Sequence, residues 1–204
     1  MKNLRIVLMG ITLIAVLFVL GCGGANRTVS RVSSDSVTDL SGNWNDTDSK
    51  LVAEQMIQDM IYRSWLSDFT MEEDRKPVVI VGTIRNFSSE HIETGTFIKD
   101  IERELINAGK VKFVASSKER EEIRNERTEQ QSYASDETAK RLAVESGADF
   151  MLQGGIKSNI DASGGKAAKF YQVDLELINV ETNEKVWIGS KEIKKLVQKS
   201  KTKW

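Results

Sequence analysis

The sequence predicts an α+β domain in which helices flank a small mixed or antiparallel sheet. Between Val52 and Phe69, apolar residues recur at steps of three and four, as on one face of a helix. A continuous β-branched run at 78–81 is typical of a buried strand. Two strand-like segments in the last third of the chain are separated by a Gly164–Gly165 turn. Helices followed by such a meander favour helices packed on a sheet.

The chain begins with a segment that resembles a bacterial export signal. Lys2 and Arg5 precede an apolar run at 6–20, which is shorter than the roughly 20 residues that cross a bilayer core. Val-Leu-Gly then precedes Cys22, as in a lipobox. This cysteine is the only one in the chain, so it has no disulfide partner. We predict that residues 1–21 are a lipoprotein signal peptide, the alternative being an ordinary signal with a chance cysteine.

Lipid attachment at Cys22 would hold the protein on a membrane, because a diacylglycerol and an N-acyl chain such as palmitate bury many CH₂ groups. In the enterobacterial sorting rule, an Asp after the cysteine retains a lipoprotein at the inner membrane. Gly23 stands there instead, which favours the outer membrane and its periplasmic face.

Residues 22–43 are predicted to form a flexible tether, and residues 44–204 a single globular domain. The tether is rich in Gly, Ser, Thr, Asn and Asp, and it cannot bury enough apolar surface to offset chain entropy. The formal net charge of the whole chain is −1, and removing Lys2 and Arg5 makes it more negative. This balance does not suggest nucleic acid as a partner. No apolar run after Cys22 approaches a membrane span, so the remainder is expected to be soluble.

The first half of the domain is predicted as helix, strand, helix and strand. Oxygens of the residues at 46–48 can cap a helix that continues to Phe69, and the strand after Pro77 ends near Asn86. Thr94 or Thr96 begins the second helix, which ends at Asn107 with a glycine as its stop. Residues 111–115 form a short strand, which can pair in parallel with the first through the second helix. Met60 on the helix face and Ile80 in the β-branched run are predicted core residues. Truncating either to Ala is expected to cost about 2–5 kcal/mol of stability.

The second half is predicted as two helices and three strands. Ser116 or Ser117 caps a very polar helix that runs to Gln131, and Ser135 caps another that ends before Gly147. Strands follow at 150–160, 170–180 and from 185 to about 197, with a loop at 162–169. The predicted order is therefore α-β-α-β-α-α-β-β-β.

A search for catalytic or metal-binding patterns finds none. His91 is the only histidine, so no His-based metal site is possible, and a surface or capping role is the simpler interpretation. The glycine pairs at 154–155 and 164–165 match neither a phosphate loop nor a dinucleotide fingerprint. We expect no enzyme activity and no cofactor or metal.

The polar helix is the most unusual segment. At 100° per residue, Arg120, Arg124 and Arg127 share one stripe, and glutamates share another. One interpretation is a solvated helix stabilised by neighbouring ion pairs. The other is a protein-docking surface, because arginine is enriched in interfaces. Arg85 and His91 in the loop 85–92, and the glycine turn at 164–165, are the alternative docking positions.

Across about residues 39–197 the sequence resembles the LpoB family of penicillin-binding protein activators. The matching segments are DLSGNWND at 39–46, PVVIVG at 77–82, IRN at 84–86, EHI at 90–92, GKV at 109–111, ER at 119–120, ADFMLQG at 148–154 and VW at 186–187. The resemblance implies a small sheet flanked by helices, similar to the N-terminal domain of TolB. It also implies a non-enzymatic outer-membrane lipoprotein that faces the periplasm. Such proteins bind a bifunctional class A penicillin-binding protein and stimulate its glycan polymerisation and cross-linking, without a small-molecule substrate.

One departure from the family concerns the tether. Its best-known members have a long, Pro-rich tether, whereas the only proline here is Pro77. Cys22 to Trp44 spans at most ~75 Å when extended and ~26 Å as a random coil.

Two other functions are compatible with the sequence. A secretion lipoprotein similar to the curli exporter would need membrane-inserting hairpins, and only the polar loop 162–169 is available for that. A carboxylate-based envelope hydrolase would show itself on incubation with peptidoglycan.

Overall fold

The computed structural model describes residues 28–34, 36–115, 117–133 and 147–198. The chain divides after Ser36 into two units. In the described part of the first unit, the backbone N–H and Oγ of Ser36 donate to the carbonyl of Ser33. The second unit carries the fold described below. The signal peptide, Cys22 and the helix predicted after Ser135 lie outside the described residues.

Helices and strands alternate in the first part of the second unit and a three-strand meander follows. The described elements are α1 (Asp46–Ile61), α2 (Ser64–Glu73), β1 (Val78–Asn86), α3 (Thr94–Ala108), β2 (Lys112–Phe113), α4 (Ser117–Tyr133), β3 (Phe150–Ser163), β4 (Lys166–Asn179) and β5 (Lys185–Gln198). The predicted α+β class is confirmed. The loop predicted at 162–169 is mostly strand, because only Gly164 and Gly165 separate β3 from β4. Both glycines have positive φ, as a tight two-residue hairpin turn requires.

The five strands form one mixed sheet in the order β2-β1-β3-β4-β5. β1 lies in the parallel part, between β2 and β3, and β4 and β5 continue the sheet in antiparallel pairing. The predicted parallel pairing of β1 and β2 is confirmed. The parallel pairing with β3 places the carboxyl end of β1, and the loop that follows it, beside the middle of β3.

The helix predicted over 46–69 is two helices. Asn45 is the N-cap of α1 and forms a reciprocal capping box with Asp48, so the predicted cap at 46–48 is one to three residues late. The chain turns after Ile61, and the indole N–H of Trp65 donates to the carbonyl of Met60 at 2.7 Å. This bond anchors the start of α2, from which Trp65 packs edge-on against Phe150 with ring centroids 5.0 Å apart.

One face of the sheet packs against α1 and α3 and forms the core. The fully buried side chains include Met60 from α1, Phe97 and Ile101 from α3, and alternate residues of β4 such as Val173 and Leu175. The other face carries exposed or half-buried side chains, and we call it the open face. Ile80 is only half-buried, since it pairs with Met151 on the open face while Val79 points into the core.

The last residues of the predicted tether contact β4 and β5. Asp39 pairs with Lys195 at 2.6 Å, and the carbonyl of Gly42 accepts from the Tyr171 hydroxyl at 3.2 Å. Gly42 has φ +69, and a Cβ there would come within 2.4 Å of a Val197 methyl group. Only glycine allows this backbone to lie so close to β5. The domain boundary at residue 44 remains a prediction.

Candidate docking surface

A tightly hydrogen-bonded loop follows β1 and carries His91, whereas Arg85, predicted in the same loop, lies in β1 and pairs with Gly155. Asn86 organises it: its side-chain amide donates to the carbonyl of Glu90 at 2.7 Å, and its Oδ1 accepts from the N–H and hydroxyl of Ser88. The backbone N–H of Phe87 continues the sheet pairing by donating to Ile156 at 2.8 Å. Side-chain bonds of this kind fix a turn without help from a helix or strand. The loop 87–93 is therefore pre-organised.

The inner side of the loop is anchored by Glu90. Its carboxylate accepts from the backbone N–H of Trp44 at 3.2 Å, from the hydroxyl of Tyr171 at 2.7 Å and from Nζ of Lys169 at 2.8 Å. The side chains of Glu90 and Lys169 are only 12% and 14% exposed. This cluster connects the loop to the start of α1 and to β4. Ile92 is buried beside it.

A second ion cluster adjoins the first. Lys195 on β5 bonds both Asp39 and Asp48 at 2.6 Å, and Lys169, the pairing partner of Lys195 on β4, also donates to Asn43. Burial would lower the pKa of Lys195, but its bonds to the two carboxylates raise it. Both clusters are compact charge pairs with hydrogen-bonded partners, which is how buried charges are retained in proteins.

The outer side of the loop faces the open face of the sheet. Phe87 is 59% exposed, and its ring lies over Gly155 so closely that a Cβ there would come within 2.5 Å of the ring. Arg85, Phe87 and Lys157 line a shallow depression of about 280 Å³, together with Gln153, Asp174 and Glu176. Lys157 pairs with Asp174 at 2.9 Å. The depression is too open to enclose a small molecule. A shallow surface of this kind, with an aromatic residue and an arginine, suits a protein partner.

The structure separates Arg85 from the other predicted docking residues. His91 is exposed between buried Ile92 and the anchored Glu90, and it does not line the depression. On α4, Arg120 is half-buried and Arg124 is exposed, while the side chain of Arg127 lies outside the described residues. The first turn of α4 reaches α3 through a bond of 2.8 Å between Glu119 and Lys99. In the sequence, no local pattern distinguishes Arg85 from the arginines of α4.

Metal-binding clusters and membrane-spanning helices were sought among the described residues. These residues contain no group of three or more His, Cys, Asp or Glu side chains that could hold a metal ion. They also contain no helix that is long and apolar enough to cross a membrane.

Solved structures with a similar fold come from several bacteria. The C-terminal domain of LpoB from Escherichia coli has 17% identity and a TM-score of 0.46, and the match covers 72% of this chain and 98% of that domain. The corresponding Salmonella enterica domain has 20% identity and a TM-score of 0.35, with 66% and 93% covered. Lipoprotein GNA1162 from Neisseria meningitidis has 15% identity and a TM-score of 0.38, with 62% and 88% covered. The comparison with curated protein sequences found no match.

Family membership rests on the sequence. The family model described as the peptidoglycan-synthase activator LpoB matches residues 48–193. This range begins in the first turn of α1 and ends within β5, so it includes every element of the sheet and the loop after β1. The match extends over well over half of the chain, and the protein belongs to the LpoB family of peptidoglycan-synthase activators.

Proposed function

We propose that this protein is a non-enzymatic, lipid-anchored activator at the periplasmic face of the outer membrane. Its partner is a bifunctional class A penicillin-binding protein, the peptidoglycan synthase that it stimulates. The family match supports the role of synthase activator. An activator of this kind shifts its partner only if it binds the active conformation better than the resting one. A rigid surface serves this purpose, because little conformational entropy is lost when the partner docks.

The observation that carries the docking proposal is the pre-organised loop with its exposed ring. Phe87 and Arg85 stand side by side in the depression on the open face, and hydrogen bonds of Asn86 and Glu90 fix the backbone beneath them. Aromatic residues and arginine dominate the residues that contribute most to protein–protein affinity. The end of β1 and the loop 87–93 are therefore our first candidate docking surface. The arginines of α4 are the second candidate, because the half-buried Arg120 is less accessible to a partner.

Reversing the charge of Arg85 and truncating Phe87 is expected to weaken binding to the synthase at least tenfold. Losing one such interface residue can cost above ~2 kcal/mol, and neither side chain is needed to fill the core. The measurement is the affinity of purified R85E/F87A protein for the synthase, together with the rate of glycan polymerisation. K110E/K112E, which changes two exposed lysines at the far end of β1, is the control.

An equal affinity for the R85E/F87A and wild-type proteins would contradict the loop as the docking surface. Urea midpoints establish that each variant is folded. The same assay with R124E/R127E then tests α4, and a tenfold loss there would place the interface on that helix. If neither pair of changes alters binding or stimulation, both surfaces are wrong.

Acylation of Cys22 is the expected result at the mature N-terminus. The lipobox before the cysteine and the absence of any disulfide partner in the sequence support it. Mass spectrometry of the protein purified from membranes should show Cys22 as the first residue, carrying both the thioether-linked diacylglycerol and the N-acyl chain. A free amine and thiol on Cys22 would show that the membrane anchor is absent.

A further inference from the structure

The end of the sheet that carries the β3–β4 turn combines exposed apolar residues with shallow depressions. We call residues 160–169 and 193–198 the hairpin end. Leu196 is 75% exposed and Ile160 is 42% exposed. Leu196 lies on the open face and Ile160 on the opposite face. Two shallow depressions of about 300 and 400 Å³ lie at this end, and their lining includes Ala167 and Val197 in both cases. This end extends past the core, in which Val173 and Leu175 are buried between the sheet and the helices.

Lysines outnumber acids at the hairpin end, where Lys169 and Lys195 pair with Glu90, Asp39 and Asp48. Lys166 and Lys194 are exposed there and have no ion-pair partner among the described residues, and the acids nearby are Asp161 and Glu192. In the sequence, β5 is followed within six residues by three more lysines and a tryptophan. The whole chain has a formal net charge of −1, so this concentration of lysine at one end is not a reflection of overall composition.

The predicted tether enters the domain at the same end. Asp39 bonds Lys195 at 2.6 Å, and Gly42 lies against Val197, only one residue pair from the last pair of the β4–β5 ladder. Val37 and Leu40, at the entry, are 72% and 94% exposed. From Cys22 to Asp39 the chain spans at most ~60 Å and typically ~23 Å as a random coil. A lipid on Cys22 would therefore hold the hairpin end close to the membrane surface.

We propose that the hairpin end binds the anionic phospholipid surface of the membrane that anchors the protein. This inference rests on the lipid anchor proposed above. Lys166 and Lys194 would lie among the phosphates, and Leu196, on the same face of the sheet, at the boundary of the acyl chains, as in other interfacial segments. The tether raises the local concentration of lipid at this end, so a weak contact is sufficient to orient the domain. The domain end with β2 and Lys110 then points away from the membrane.

Vesicle binding tests this contact without the anchor. The chain from residue 22 with Cys22→Ser, which cannot be acylated, is sedimented with vesicles of phosphatidylglycerol and phosphatidylcholine, and with phosphatidylcholine alone. We expect binding to the anionic vesicles that disappears in 0.5 M salt and is absent for the neutral ones. Each lysine near an anionic surface is worth about a fivefold change in partitioning, so K166E/K194E should lower it at least tenfold. L196S should lower it to a smaller extent, and K110E/K112E should leave it unchanged.

Three results would overturn the proposal. The first is that the parent chain does not bind anionic vesicles. The second is that K166E/K194E and K110E/K112E reduce vesicle binding equally. The third is that the same two lysines bind purified peptidoglycan sacculi and not vesicles. The anchor and the synthase interaction are measured separately, by mass spectrometry of Cys22 and by stimulation in detergent. K166E/K194E should leave both unchanged, so a failure of this inference is distinguishable from a failure of the proposed function.

Discussion

Replacing Glu90 with Ala is expected to lower the free energy of unfolding by about 3–5 kcal/mol. The change leaves the ammonium group of Lys169 and the hydroxyl of Tyr171 without their shared carboxylate in a largely buried site. Removing one partner of a buried ion pair costs this much because the remaining charge stays desolvated. Urea unfolding measures the difference. E54A, on the exposed side of α1, is the control and should unfold with the midpoint of the wild type.

The contribution of Glu90 should depend on pH. Burial alone would raise its pKa, but the bonds from Lys169 and Tyr171, with the Trp44 backbone N–H, together lower it below the ordinary value of 4.5. A carboxyl group with a lowered folded-state pKa stabilises the fold above its unfolded-state pKa and loses this effect as the pH falls. The difference between wild type and E90Q should therefore be constant above about pH 5.5 and shrink below about pH 4.5. A difference that stays the same down to pH 3 would show that Glu90 acts through packing alone.

Replacing Met60 with Ala should cost about 2–5 kcal/mol. Met60 is fully buried in α1 among the residues of the main core, and its truncation leaves a cavity that the surrounding side chains fill only partly. Met71 in α2 is 77% exposed and provides the same substitution without the cavity. M60A and M71A are compared by their urea midpoints at constant slope. Equal midpoints for the two variants would show that Met60 does not support the core. I80A, on the open face, should fall between them.

Local signals in the sequence were sufficient to predict most of the elements. The β-branched run of β1, the stop of α3 at Gly109 and the tight turn at Gly164–Gly165 all depend on neighbouring residues, and each is confirmed. The apolar spacing of three and four did not reveal that α1 and α2 are separate helices, because it continues through both. The steps of three and four continue from Met60 to Trp65 and Phe69, yet the break between α1 and α2 depends on the Trp65 indole bonding the Met60 carbonyl.

Alternation could not be read from a continuous apolar run. The run of β1 has no polar residue to indicate which side chains point toward the helices. The prediction that Ile80 is a core residue is therefore wrong, and its neighbour Val79 is the buried one. The cap of α3 shows a similar ambiguity, because Glu93 supplies the capping oxygen and precedes the predicted threonines by one residue or more.

The candidate site depended on contacts that no local pattern contains. Glu90 meets Trp44, Lys169 and Tyr171, which are 46 to 81 residues away along the chain. In the sequence, Glu90 is one polar residue in a polar loop. Glu90 becomes an anchor only because the sheet places Lys169 and Tyr171 of β4 beside that loop. The same holds for the depression on the open face, where Arg85 and Phe87 meet Lys157 of β3.

The pairing of Asp39 with Lys195 has a mechanical consequence. Tension along the tether would divide at Asp39, because Asp39 bonds both Nζ of Lys195 on β5 and the side-chain amide of Asn45, the N-cap of α1. Lys195 also bonds Asp48, so the capping box of Asn45 and Asp48 shares the load with β5. Resistance to forced unfolding is governed by the barrier to breaking such contacts and not by overall stability. Lys195 thus joins the start of α1 to β5, and a pull on the tether would load the helix and the sheet together.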